Sequence, residues 1–250
     1  MALSTRFDQH GSVIGQYLWQ RYAHTAILAR GANAQLAQAA TLRPADDEHY
    51  PWAVVARATA LRLRYISGNT PPRALLALDG AARLTQAHTA PYPLAFVAAL
   101  FAELGARVAR LTPAAERLAP ADEEQLSRIC YLLGLCEDIA RTGRLMQSPL
   151  LDPAVPRTMD GLLALADPVC VADISAMATR FMAAHGALLA QPATLWPALG
   201  GVPLAGSGLE PLIWGDGLYL IKVTTQSQIE ARWLRELLGY LLSDAQDAYG

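Results

Sequence analysis

Lysine is almost missing from this chain: of 20 Lys plus Arg residues, Lys222 is the sole lysine and the rest are arginine. A chain so rich in Ala, Leu and Arg uses arginine wherever either cation serves, so a lysine inside an apolar run needs a physical reason. Cysteine is scarce as well. Cys130, Cys136 and Cys170 are odd in number, widely spaced and set among apolar residues, which predicts buried reduced thiols rather than a disulfide framework. There is no CxxC pair, and His10, His24, His49, His88 and His185 never fall at ligand spacing on one helix, so no structural zinc site is expected. Apolar runs are all broken by Arg, Gln, His, Pro or Gly before the roughly 18 residues a membrane span needs. The opening MALSTRFDQHGSV carries charge early and lacks the apolar stretch of a signal peptide, so the expectation is a cytoplasmic protein.

Charge is also in short supply. Only 17% of residues are charged against 53% hydrophobic, a balance that excludes disorder and allows a sizeable core in 250 residues, as one large domain or two small ones. The net charge of −2 gives no general attraction to nucleic acid.

Most of the chain has helical texture. Val13, Ile14, Tyr17, Leu18 and Tyr22, then Ile27 and Leu28, recur at near-helical spacing over 11–40. A loop with Pro44 and the acidic Asp46-Asp47-Glu48 follows, and Pro51 opens a helix that Gly68 closes. After the break at Asn69-Thr70-Pro71-Pro72, further helices are expected up to about Thr85 and over 93–111. The segment from Pro120 has the clearest ends. Asp122, Glu123 and Glu124 suit the helix dipole at its start, Leu126, Ile129, Cys130, Leu133, Cys136 and Ile139 keep a helical period, and Arg141 with Gly143 ends it. Residues 148–158 hold three prolines and read as a linker or long loop, and a helix is expected over about 171–190.

From about 199 the texture changes. Gly200, Gly201, Gly206 and Gly208 cluster, and two β-like runs, Leu209–Trp214 and Leu218–Thr225, flank Gly215-Asp216-Gly217, which predicts a hairpin. A final amphipathic helix over about 227–246 carries Ile229, Trp233, Leu234, Leu237 and Leu241 on one face. In the second strand, Leu218, Leu220, Lys222 and Thr224 share one side. A lysine there costs several kcal/mol unless an anion meets it, and Glu210 in the preceding strand is the nearest candidate in sequence.

Three stretches together carry a likeness: Gly206-Ser207-Gly208-Leu209-Glu210-Pro211-Leu212-Ile213, then Leu218–Thr225, then Leu234-Arg235-Glu236-Leu237-Leu238-Gly239-Tyr240-Leu241-Leu242. This pattern resembles a group of bacterial proteins with a PD-(D/E)XK nuclease-like core. In that group a glycine-rich entry leads to an acidic residue, a strand reading L-(I/L)-D-(I/V)-K-T-T follows, and a helix reading Q-L-L-G-Y comes next. RATALRLRY and EEQLSRICYLLGLCEDIAR resemble, more weakly, helices that precede that core. The resemblance implies an α+β fold with a mostly helical N-terminal two-thirds and a C-terminal restriction-endonuclease-like hairpin and helix. It implies catalytic positions at Glu210, Lys222 and Glu236, with Glu210 as metal ligand, Mg²⁺ as cofactor if the site is active, and DNA as a partner, with action on nucleic acid or in bacterial defence.

The pattern also departs from the group. The second metal-binding carboxylate belongs two residues before the lysine, and Leu220 stands there. One carboxylate binds Mg²⁺ weakly, so the site is expected to be degenerate unless Glu236 or Asp138 supplies a replacement ligand. Glu236 falls where the group's helix usually has Gln. Members of the group usually continue into another strand after that helix, so the expectation is either a shortened chain or a protein partner covering the C-terminal sheet edge. The resulting division is a helical region over 1–147, a linker and helix over 148–198, and the nuclease-like core over 199–250. A competing expectation is a non-catalytic helical interaction or scaffold protein, with no membrane partner. Arg57, Arg62 and Arg64 read as a solvated helix face with phosphate contacts as the sharper alternative, and Trp52, Trp196 and Trp214 as buried aromatics rather than base-stacking platforms.

Overall fold

The computed structural model describes residues 13–37, 50–66, 76–87, 92–111, 118–189, 191–194, 212–223 and 228–242. It is mostly helical, with a small three-stranded antiparallel sheet near the C-terminus. The chain forms two compact units, one comprising Met1–Arg43 with Ala193–Gly250 and the other Pro44–Pro192. The divisions therefore fall near 43 and 192 instead of 147 and 198, because the first helices pack with the C-terminal one.

The larger unit is built around one helix. Its elements are α3 (Trp52–Arg64), α4 (Leu76–Leu84), α5 (Leu94–Leu111), α6 (Pro120–Thr142), α7 (Met159–Leu163), α8 (Pro168–Ala184) and α9 (Gly186–Leu189). Helix α6 packs against α3, α4, α5, α7 and α8, and from Leu126 to Ile139 it is buried almost all round. Its ends follow from sequence chemistry. Pro120 sits in the first turn with Asp122 and Glu123, and Gly143 takes a left-handed conformation (φ 69°) while its N–H reaches the Ile139 carbonyl. Two glycines let neighbouring helices approach. A Cβ on Gly80 of α4 would stand 1.7 Å from the Cys136 carbonyl oxygen, and one on Gly134 would stand 2.9 Å from that of Val54. The thiols of Cys130, Cys136 and Cys170 are free and buried, as their apolar settings predict.

Two expectations change in this unit. Residues 148–158 are anchored to it: Pro149–Leu151 form a 3₁₀ turn, Leu150 is buried, and its carbonyl accepts from the Tyr92 hydroxyl (2.6 Å) and Arg157 (3.1 Å). Helix α8 starts at Pro168 rather than near 171, because the Asp167 side chain accepts from Val169 and Cys170 N–H groups as an N-cap.

The smaller unit contains α1 (Val13–Arg21), α2 (Thr25–Leu36), β1 (Ala193–Thr194), β2 (Leu212–Trp214), β3 (Gly217–Tyr219) and α10 (Ala231–Leu242). The strand order is β1-β2-β3, with Ala193 opposite Trp214 and Trp214 opposite Gly217. The hairpin turns at Gly215-Asp216, where Gly215 has φ 59° and pays no Cβ penalty. Strand β1 is too short to show any alternation in sequence. Strand β3 ends at Tyr219, so 220–223 continue without ladder pairing and Lys222 lies beyond the strand in which it was expected. Helix α10 packs on α1, α2 and β3. Leu18 and Tyr240 are fully buried at its centre, with Tyr22, Leu218, Leu220 and Leu238 packed around them.

Helix α10 does not bury the face that its apolar pattern marks. Arg235, Glu236, Gly239 and Tyr240 are buried, whereas Trp233, Leu234 and Leu237 are half-covered and Leu241 is exposed. The Arg235 guanidinium stacks 3.9 Å over the Trp19 ring, which lets the cation sit inside the unit against an aromatic face.

Candidate functional site

The site forms where the segment after β3 runs along α10. Leu220 turns toward the Leu18–Tyr240 cluster, so alternation along an extended chain places Lys222 on the same side two residues later. Its ammonium donates to Glu236 Oε2 at 2.7 Å, and the two side chains are 19% and 10% exposed. An ion pair this enclosed stands only because each charge offsets the cost of burying the other. Among the described residues the acidic partner comes from α10.

Of the three sequence-derived catalytic positions, Lys222 and Glu236 meet. Glu210 lies outside the described residues. Asp138, the other candidate ligand, belongs to the larger unit, where Arg57 Nη1 donates to its Oδ1 at 2.5 Å. Leu220 is packing material. A carboxylate in its place would sit against Leu18 and Tyr240, a poor setting for a charge without a counter-ion.

The described donors do not fit Mg²⁺. One carboxylate, Glu236, is within reach of the lysine, and its Oε2 is already engaged by the ammonium, whereas the ion prefers near-octahedral oxygen coordination. Among the described residues, no three His, Cys, Asp or Glu side chains converge on a common point.

The arginines of α3 do not form a solvated face. Arg62 and Arg64 are 2% and 3% exposed, and Arg57 is held by Asp138. Arg62 donates through Nε to Glu123 Oε1 (2.8 Å) and through Nη2 to Oε2 (2.5 Å). Ser127 donates to the same carboxylate at 3.3 Å and lies 2.9 Å from the Ser175 hydroxyl, which extends a buried polar line from α3 through α6 to α8. Periodicity missed this network because arginine on a helix normally marks the wet side. Trp214 is buried and Trp52 packs on Tyr50 with ring centroids 4.6 Å apart; Trp196 lies outside the described residues.

Elsewhere in the larger unit the Tyr50 hydroxyl donates to Asp173 Oδ2 at 2.5 Å. Burial first, then that carboxylate, pushes the Tyr50 hydroxyl well above its ordinary range. Burial likewise pushes the Cys170 thiol up to about 11, so it is not an activated nucleophile.

No protein-family model, curated protein or solved structure matches the chain. Geometry and residue chemistry therefore carry the functional reading. No helix among the described residues is long and apolar enough to cross a membrane.

Proposed function

We propose that the chain is a catalytically silent protein with a degenerate PD-(D/E)XK-like core, and that it works as an interaction scaffold in a larger assembly. The reading rests on one observation above all: Glu236, the described acid beside Lys222, is paired with its ammonium, while Leu220, at the expected metal-binding position, packs into the small core. Metal-assisted phosphate chemistry needs carboxylates free to hold the ion, and the one described acid beside Lys222 is already engaged by the ammonium. Seven cations among the described residues favour a protein partner over nucleic acid. Arg57, Arg62, Arg107, Arg128, Arg141, Arg232 and Lys222 each form an ion pair with a carboxylate of the same chain, which leaves them poorly placed to neutralise phosphates.

A second reading, a decayed nuclease that still acts on nucleic acid, is favoured by the lysine itself, retained in a chain that otherwise uses arginine. The two separate in a cleavage and binding assay. Full-length protein is incubated with single- and double-stranded DNA in Mg²⁺ or Mn²⁺, with Lys222→Ala and Leu220→Asp alongside. The scaffold reading expects no cleavage by wild type or Lys222→Ala and no salt-sensitive retention of DNA. Metal-dependent cleavage by wild type that Lys222→Ala abolishes overturns it. Activity that appears only in Leu220→Asp shows a decayed site on an intact core, as the silent-protein reading expects, whereas salt-sensitive retention of DNA by wild type favours the second reading.

A further inference from the structure

The half-covered apolar face of α10 does not go unused. Trp233, Leu234 and Leu237, with Ile229, Leu220 and Leu36 at the end of α2, wall a cavity of about 390 Å³ inside the smaller unit. That volume falls within the roughly 300–1,000 Å³ of typical small-molecule sites. The polar groups among its described lining are Lys222 and Gln228, so the described wall is apolar with one cation in it.

Two features make it a built site. The first is a clasp. Asn33, one helical turn before Leu36, donates through Nδ2 to the Ile229 carbonyl (3.0 Å) and accepts through Oδ1 from the Ile229 N–H (2.5 Å). A two-point amide bond of this kind ties the 229 wall to α2, so the walls are positioned by hydrogen bonds and not by loose apolar collapse. The second is the donor count on the lysine. An ammonium has three donors, and among the described residues Glu236 Oε2 takes one of them.

We infer that this cavity binds an amphipathic carboxylate of the fatty-acid type, with the aliphatic tail along α10 and the head group on Lys222. The tail buries apolar wall that otherwise contacts water, and the head accepts a charge-assisted hydrogen bond from a cation held in an apolar setting. Glu236 tempers the affinity, because its carboxylate sits on the same ammonium and repels an incoming anion. The proposal does not rest on kinship with nucleases and survives the failure of that reading.

The probe is decanoate, with decanol as its uncharged counterpart, each titrated calorimetrically into the full-length protein. Wild type binds decanoate saturably at one site and more tightly than decanol. Glu236→Gln, which removes the competing charge at constant volume, tightens decanoate several-fold. The pair Lys222→Met with Glu236→Gln, which leaves no unmatched charge, weakens decanoate by about tenfold or more and brings it level with decanol. Leu237→Trp fills the cavity and abolishes binding of both. Absence of saturable decanoate binding to wild type, equal decanoate affinity in wild type and the double variant, or undiminished binding in a folded Leu237→Trp protein each overturns the proposal. Should Leu237→Trp fail to fold by circular dichroism, the charge variants decide alone.

Discussion

Arg62 and Glu123 face each other across the α3–α6 interface as a two-pronged ion pair, with contacts of 2.8 and 2.5 Å and side chains 2% and 11% exposed. Removing one member leaves the other charge uncompensated inside the larger unit. Arg62→Met should therefore cost about 3–5 kcal/mol, read as a shift in the urea unfolding midpoint. The double variant Arg62→Met with Glu123→Leu should recover most of that loss, since apolar residues of similar volume replace such pairs at little cost. Single and double variants of equal stability to wild type would show that the pair contributes nothing.

Gly80 and Gly31 both lie in helices, yet alanine should move stability in opposite directions. At Gly80 the added methyl collides with the Cys136 backbone carbonyl, and only a shift of α4 away from α6 relieves it, so Gly80→Ala should cost about 1–3 kcal/mol. At Gly31 nothing lies within 4 Å of the added carbon, and Gly31→Ala should stabilise by about 0.5–1 kcal/mol through helix propensity. Thermal melts of the two variants test the pair, and a stabilised Gly80→Ala would contradict the close approach.

Alkaline pH should weaken the larger unit. Burial pushes the Cys136 thiol up to about 12 and the Tyr131 hydroxyl up to about 12, and moves the Cys130 thiol in the same direction. An unfolded thiol ionises near about 8.5, so between there and about 12 the unfolded chain loses protons that the folded chain keeps. Stability is then fully present below about pH 8.5 and falls as pH rises through the folded values. Guanidinium unfolding under reducing conditions at about pH 8 and about pH 10 measures the slope. Cys136→Ala should flatten it, and identical stability at both pH values would contradict the burial of these groups.

Much of the helical skeleton was legible from residue chemistry alone. Pro120, the acidic first turn and Gly143 define α6 at both ends, and Asp216 between glycines announces the hairpin. The site was legible only in part. The likeness to PD-(D/E)XK cores singled out Lys222 and Glu236, which do meet, whereas the residue-level reading paired Lys222 with Glu210, which lies outside the described residues. Helix α10 was read correctly as amphipathic, yet its buried face carries Arg235 and Glu236 where the apolar stripe would have been expected.

Sequence by itself determined where helices begin and end and which thiols are sealed off, because caps, prolines, glycines and periodicity act within one or two turns of the chain. Tertiary structure alone decided that Arg62 and Arg64 lie inside, that Lys222 pairs with Glu236, that two residues at 193–194 join the sheet, and that the apolar side of α10 walls a cavity. Each of these depends on which surfaces come together. The cost of burying a charge is set by the partner that arrives with the other element, and local pattern carries no record of that partner.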